Sequence, residues 1–293
     1  MKGRAVSHML AHPTPMPAYP PPHHILRDLR LEVDLRGDGP RVRVPVVREL
    51  CGPDGSVRAG VLGVALDVFG GNLAVEAAAP DWALTAQLEL HVLRPLTSGE
   101  ICVTGQPLRA GRTNLVAEAR VGGGAAGGGS TPYAVGRLTF TRVPARGGEP
   151  PRERRGGQLF TFAEGAERLA APFHSAIGLR EVDAASGALE LELGSYVVNS
   201  VGALQGGVVV AALDAAAECA GRALLGRDVA TSDLSVHFLA LGREGPLRTR
   251  ATLLRREPDA ALLSVALHDA GQADRLASVA TVRVAAQGCN RVT

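Results

Sequence analysis

The strongest constraint on this chain is that it repeats itself. VRAGVLGVALD (Val57 to Asp67) and LQGGVVVAALD (Leu204 to Asp214) align without gaps, and Gly60/Gly207, Val61/Val208, Ala65/Ala212, Leu66/Leu213 and Asp67/Asp214 are identical. A second pair of blocks follows in the same order and at nearly the same spacing. LTAQLELHVL (Leu84 to Leu93) matches ATSDLSVHFL (Ala230 to Leu239), with Thr85/Thr231, Leu88/Leu234, His91/His237 and Leu93/Leu239 coinciding. One matching block arises easily by chance, whereas two in register mark one structural unit written twice. A length of 293 residues suits two such units of ordinary domain size.

Each half reads alike. A long run of Ala, Val and Leu after a glycine-containing start predicts a buried helix, about Ala59 to Ala77 in the first half and Gly206 to Leu225 in the second. Both runs are too long for strands. Four alternating patterns follow each helix, and shorter ones precede it (LRLEVDL and RVRVPVV; GLREVDA and ALELELG). One central helix and a hairpin-rich sheet bury their apolar surfaces together only if the sheet wraps the helix, which is an α+β architecture. Aromatic residues are only 3% of the chain, so the cores must be built from Ala, Val and Leu.

The stretch RVPARGGEPPRERRGGQ (Arg142 to Gln158) is charged and rich in Pro and Gly, as a linker is. The expected division is a flexible extension over 1–24, domain one over 25–144, a linker over 145–157 and domain two over 158–287. GGGAAGGGS (Gly122 to Ser130) reads as a flexible hairpin loop. No helix follows it and no Lys-Ser/Thr ends it, so it is no phosphate cradle.

Composition excludes several functions. A formal net charge of +2 argues against a nucleic-acid-coating protein. Cys51, Cys102, Cys219 and Cys289 are far apart and form no CxxC pair, so neither a metal site nor a disulfide framework is expected. No apolar run reaches membrane-spanning length unbroken, since the longest carries Asp214 and Glu218. The Pro- and His-rich N-terminus lacks the apolar core of a secretory signal, so a cytoplasmic setting is expected. Its His8, His12, His23 and His24 are expected to lie in the flexible tail and not to bind metal.

The informative segment is NSVGALQGGVVVAALD, Asn199 to Asp214. It resembles the active-site signature of PaaI-type hotdog-fold acyl-CoA thioesterases: an Asn, a His-Gly-Gly or similar, then an acid one to two turns into the central helix. Asn199, Gln205, Gly206, Gly207 and Asp214 stand at that spacing, with Gln205 where the family usually has His. The resemblance covers about Phe173 to Val284 and, more weakly, Leu31 to Val143. It implies two tandem hotdog domains, each an antiparallel sheet wrapped around a central helix. It also implies an acyl-CoA or related thioester substrate, no cofactor, and a tandem chain that associates with further copies.

The chemistry agrees. A helix N-terminus offers unpaired N–H groups and a positive dipole end to a carbonyl becoming an oxyanion, and a glycine lets the substrate approach. A nearby carboxylate can act as general base or nucleophile. In this family the donor and the acid come from opposite modules, and a strand Ser or Thr helps place them. That resemblance implies one composite site of Asn199, Gln205 and Gly206 with Asp67 and Thr85. The reciprocal site would join Asp214 and Thr231 with Gly52, Arg58 and Ala59, and it lacks the Asn and Gln. The Asp67 site is therefore expected to be the more competent.

Bland readings stand beside these. Either Asp could be structural, bonded to a backbone end or an Arg. Asn199 could cap a turn and Gln205 a helix. His91 and His237 fall on the polar face of their strands, which suggests a solvated or interface role. Glu218, one turn after Asp214, has only Gly71 as its counterpart. Arg94, Arg109, Arg112, Arg255 and Arg256 suit CoA phosphates but are ordinary surface charge by default. A non-catalytic acyl-CoA-binding protein is the main alternative function. A hydratase or dehydratase ranks lower, because no His accompanies either Asp in its helix.

Overall fold

A computed structural model describes residues 19–123, 131–144, 157–163 and 168–287. Residues 1–18 of the expected extension, residues 124–130 of the glycine loop, residues 145–156 of the linker and Cys289 lie outside the described residues. The elements run α1 (Ile25–Asp28), β1 (Glu32–Asp34), β2 (Arg41–Pro45), α2 (Ala59–Ala78), β3 (Trp82–Val92), β4 (Glu100–Ala110), β5 (Asn114–Gly122) and β6 (Ala134–Val143). They continue with β7 (Leu159–Thr161), α3 (Phe173–Ala176), β8 (Arg180–Asp183), β9 (Ala188–Leu191), α4 (Gly206–Leu225), β10 (Val229–Phe238), β11 (Leu247–Arg256), β12 (Ala260–Asp269) and β13 (Arg275–Ala286). Each half has the expected order of short strands, a long helix and four antiparallel strands.

The two half-sheets join into one sheet of 13 strands, ordered β7-β1-β2-β4-β5-β6-β3-β10-β13-β12-β11-β9-β8. The join is antiparallel between the duplicated strands β3 and β10, with Leu90 opposite Leu234 and Leu88 opposite Val236. Those four side chains are at most 1% exposed, so the seam is sealed from within by apolar packing. His91 lies on the outer face at the same seam, where its Nδ1 meets Asp233 Oδ1 at 2.8 Å. The interface role expected of this histidine is therefore a seam within the chain.

The helices α2 and α4 lie on the inner face and cross where side chains are absent. A Cβ on Gly207 would stand 2.4 Å from Val64 Cα, and one on Gly60 would stand 2.8 Å from Ala211 Cα. This close approach explains why Gly60 and Gly207 recur in the repeat. By length and apolarity α2 would pass as a membrane-crossing segment, contrary to the reading of the sequence, yet 67% of its apolar window is buried within the fold. It is apolar all round because helix α4 covers one side and sheet the other.

Two features depart from the expected boundaries. Strand β7, placed by the sequence in the second half, pairs with β1 and covers the outer edge of the first half-sheet. Residues 19–24, expected within the flexible extension, are tied to the fold: Arg27 donates to the carbonyls of Pro20 and Pro21, and His24 is 0% exposed. His24 Nε2 bonds Val198 O at 2.9 Å, while Nδ1 accepts from Leu26 N and so caps α1. Burial lowers the pKa of this ring, which serves as a neutral structural link to the second half.

Candidate active site

The tip of α4 and the middle of α2 meet at Asp67. Gln205 caps α4, its Oε1 accepting from Val208 N at 2.9 Å. Its Nε2 then points across the junction and donates to Asp67 Oδ2 at 3.0 Å. Gly207 N–H donates to the same oxygen at 3.1 Å, and Thr85 Oγ1 donates to Asp67 Oδ1 at 2.8 Å. The pairing of β3 with β6 slips between Thr85 and Gln87, a bulge of the kind that re-aims a side chain beside a site. Asp67, Thr85, Gln205 and Gly206 are thus brought together from both halves, as the composite site requires.

Gly206 is fixed by the acid. A Cβ there would stand 2.8 Å from both carboxylate oxygens of Asp67. Its N–H has no acceptor among the described residues, while the next N–H groups of α4 go to Asp67 and Gln205. Here a free donor of the helix tip lies beside a carboxylate.

Both groups line a cavity of about 700 Å³, with walls that include Val68, Val75, Trp82, Phe140, Phe238 and Leu239. Asp67 is the only charged residue lining it among the described residues, and no histidine does. Burial pushes the Asp67 carboxyl up to about 6, against the opposing pull of the Thr85 hydroxyl and the Gly207 N–H. Arg94, Arg109, Arg112, Arg255 and Arg256 do not line this cavity.

Asn199 also lines the cavity, but its Oδ1 accepts from Val201 N at 3.0 Å and Ala203 N at 3.1 Å. The side chain holds the turn that leads into α4, the turn-capping role open to it from sequence. Gly207, named from sequence only as part of the signature, is the residue whose N–H binds the acid. Two contributors were not singled out from sequence. Leu26 and Tyr19, from α1 and the segment before it, complete the wall. Burial, and then the charge of Asp67, raises the Tyr19 hydroxyl's pKa.

The other pole has the same frame with a different filling. Gly60 N–H donates to Asp214 Oδ2 at 2.7 Å, as Gly207 does to Asp67. A bulge between Thr231 and Asp233 repeats the one after Thr85. Yet Asp214 is 0% exposed and does not line the cavity of about 700 Å³. Arg58, at the position of Gln205, forms an ion pair with Glu218. Burial raises the pKa of Asp214. It raises that of Glu218 too, with the charge of Asp214 adding to it and Arg58 opposing.

Residues 201–274 match the family model of the thioesterase superfamily. No curated protein matches the chain. Among solved structures, a putative thioesterase II from Thermobifida fusca YX is 18% identical, with 86% of this chain and 94% of that one covered at a TM-score of 0.58. The tesB protein of Mycobacterium avium subs paratuberculosis is 15% identical, with 89% and 96% covered at a TM-score of 0.60. An acyl-ACP thioesterase from Bacteroides thetaiotaomicron is 10% identical, with 83% and 96% covered at a TM-score of 0.53. The fold is accordingly α+β and of the hotdog kind.

Proposed function

We propose that this chain is an acyl thioester hydrolase, acting on an acyl-CoA or a related thioester, with Asp67 as its general base. The observation that carries the reading is the lone buried carboxylate set beside the free Gly206 N–H in an apolar cavity of about 700 Å³. Such a volume suits a small-molecule ligand, and the walls suit an apolar acyl group.

In this reading the thioester carbonyl oxygen accepts the Gly206 N–H, which bears on it with the positive end of α4 behind it. Water attacks the carbonyl carbon as Asp67 takes its proton, and negative charge collects on the oxygen held by Gly206. The C–S bond then breaks, Asp67 returns the proton to the departing thiolate, and a carboxylic acid and a thiol leave. Three donors hold the two carboxylate oxygens, which suits a fixed acceptor of protons better than an attacking atom. Label found on Asp67 after a single turnover in ¹⁸O water would overturn the base role, because only a nucleophilic Asp67 can acquire it.

The main test is Asp67→Asn, assayed on short-, medium- and long-chain acyl-CoA esters and benzoyl-CoA. We expect kcat/KM to fall by about 10²–10⁴. A wild-type chain that binds these esters and turns none over is the binding protein of the alternative reading.

A further inference from the structure

The two poles match position by position, well beyond the repeat visible in the sequence. Leu239 N and Ala240 N both donate to Ala277 O at one mouth, and Leu93 N and Arg94 N both donate to Tyr133 O at the other. Leu31 N donates to Leu26 O, and Leu179 N to His174 O. Gln205 N donates to Val197 O, and Arg58 N to Leu50 O. The backbone of the Asp67 cavity is therefore present at both poles.

Among the residues that differ are those that leave space. Gly71, Ala240, Ala277 and Leu26 line the open cavity. Glu218, Arg94, Tyr133 and His174 stand in their places. Arg58 reaches Glu218 across the floor, with side-chain exposures of 17% and 8%. At the mouth Arg94 lies over the Tyr133 ring, 3.7 Å from its centroid. Inside, the Thr231 hydroxyl leans on Asp214 as Thr85 does on Asp67, and His174 Nε2 is buried without a hydrogen-bond partner. A buried ring nitrogen is rarely left so, and His174 and Thr231 hold the positions that Leu26 and Thr85 hold in the wall of the open cavity.

We propose that the Asp214 pole is a second thioester site, kept shut by the Arg58–Glu218 pair and the Arg94–Tyr133 stack. Ala59 N–H stands at the helix tip where Gly206 stands in the first site, and Asp214 is the acid. The wild-type chain then binds one substrate, at Asp67, and cutting back the occluding side chains admits the same thioester at Asp214. This inference rests on the thioesterase reading of Asp67.

The test is built on full-length Asp67→Asn. Adding Arg58→Gln, Glu218→Gly and Arg94→Ala removes both halves of the ion pair together with the mouth residue. Turnover of the ester best used by the wild type should rise by at least about tenfold over the Asp67→Asn parent. A further Asp214→Asn should abolish that gain. In the chain with Asp67 intact, calorimetry with the S-alkyl-CoA thioether of the same acyl group should give one site, rising to two on opening. A folded opened variant with no gain in turnover and one thioether site overturns the inference. If the glycine prevents folding, Glu218→Ala keeps full helix propensity and the same two results decide. Wild-type turnover that survives Asp67→Asn defeats the Asp67 reading itself; turnover lost there and never regained on opening defeats only this one.

Discussion

At one pole a carboxylate accepts a helix-tip N–H and looks into an apolar cavity. At the other, the same carboxylate accepts the same N–H and looks at an ion pair. Asp67 and Asp214 are equally placed by the fold, so the contact between acid and helix tip is first a clasp between α2 and α4. Chemistry needs one thing more, which is space on the far side of the acid. Gly71 provides it beside Asp67, and Glu218 removes it beside Asp214. If Asp67 is the base proposed above, the structural and catalytic readings of a buried Asp are both realised in one chain, and its neighbours decide between them.

The sharpest way to break this comparison is to strike the two helix caps in turn. Arg58→Ala leaves Glu218 buried without its partner, and loss of one member of a buried pair typically costs about 3–5 kcal/mol. We expect that loss in urea unfolding, with kcat/KM of the remaining folded protein within a few-fold of wild type. Replacing the pair together, as Arg58→Met with Glu218→Leu, should be close to neutral for stability. Gln205→Ala should do the reverse. It removes one cap bond and one bond to Asp67, about 1–2 kcal/mol of stability, but it loosens the proposed base and should lower kcat/KM by at least about tenfold. If Arg58→Ala proves as damaging to turnover as Gln205→Ala, the poles are not functionally distinct.

Much of this was legible in the sequence. The duplicated blocks gave both long helices to within a residue, and the alternating patterns gave the strands that flank them. Gln205, Gly206, Asp67 and Thr85 do meet across the halves. What escaped notice escaped for physical reasons. α1 and α3 are single turns, too short for helical periodicity, and β7 has three residues. The aim of Thr85 depends on a bulge, which is a matter of pairing register and not of composition. Glu218 and Arg58 each read as unremarkable alone; only the crossing of α2 and α4 puts them in contact and fills the pole.

A smaller effect separates the acids by pH. Burial raises the Asp67 carboxyl from 3.8 to about 6, so the proposed base is protonated and idle at low pH. kcat/KM should rise with pH through a midpoint near 6. Stability runs the other way. A carboxyl whose folded pKa lies above its unfolded value favours folding most when protonated. That contribution is complete below about pH 4 and is lost as pH climbs past 6, a change of about 3 kcal/mol for a two-unit shift. Between pH 4 and pH 8 the wild type should therefore lose stability relative to Asp67→Asn. Asp214→Asn should also remove a pH-dependent loss, since burial raises that acid too, yet leave the activity profile of Asp67 in place. A profile that moves with Asp214 would join the two poles into one titrating unit.

The smallest difference concerns the turns before the helices. In the second half Asn199 Oδ1 gathers the N–H groups of Val201 and Ala203. In the first half the corresponding turn has Gly52 at that position, and Asp54 does the work instead. Its Oδ1 accepts from Ser56 N at 2.9 Å and its Oδ2 from Ser56 Oγ at 2.6 Å. The turn needs a short oxygen-bearing side chain but not at a fixed position, which makes Asn199 a positioning residue. Asn199→Ala should then cost about 1 kcal/mol of stability and raise KM a few-fold with kcat nearly kept. Asn199→Asp retains the acceptor and should recover the stability. If Asn199→Ala instead depresses kcat as far as Asp67→Asn does, the side chain acts on the reacting atoms, and the first pole differs from the second in its chemistry as well as in its space.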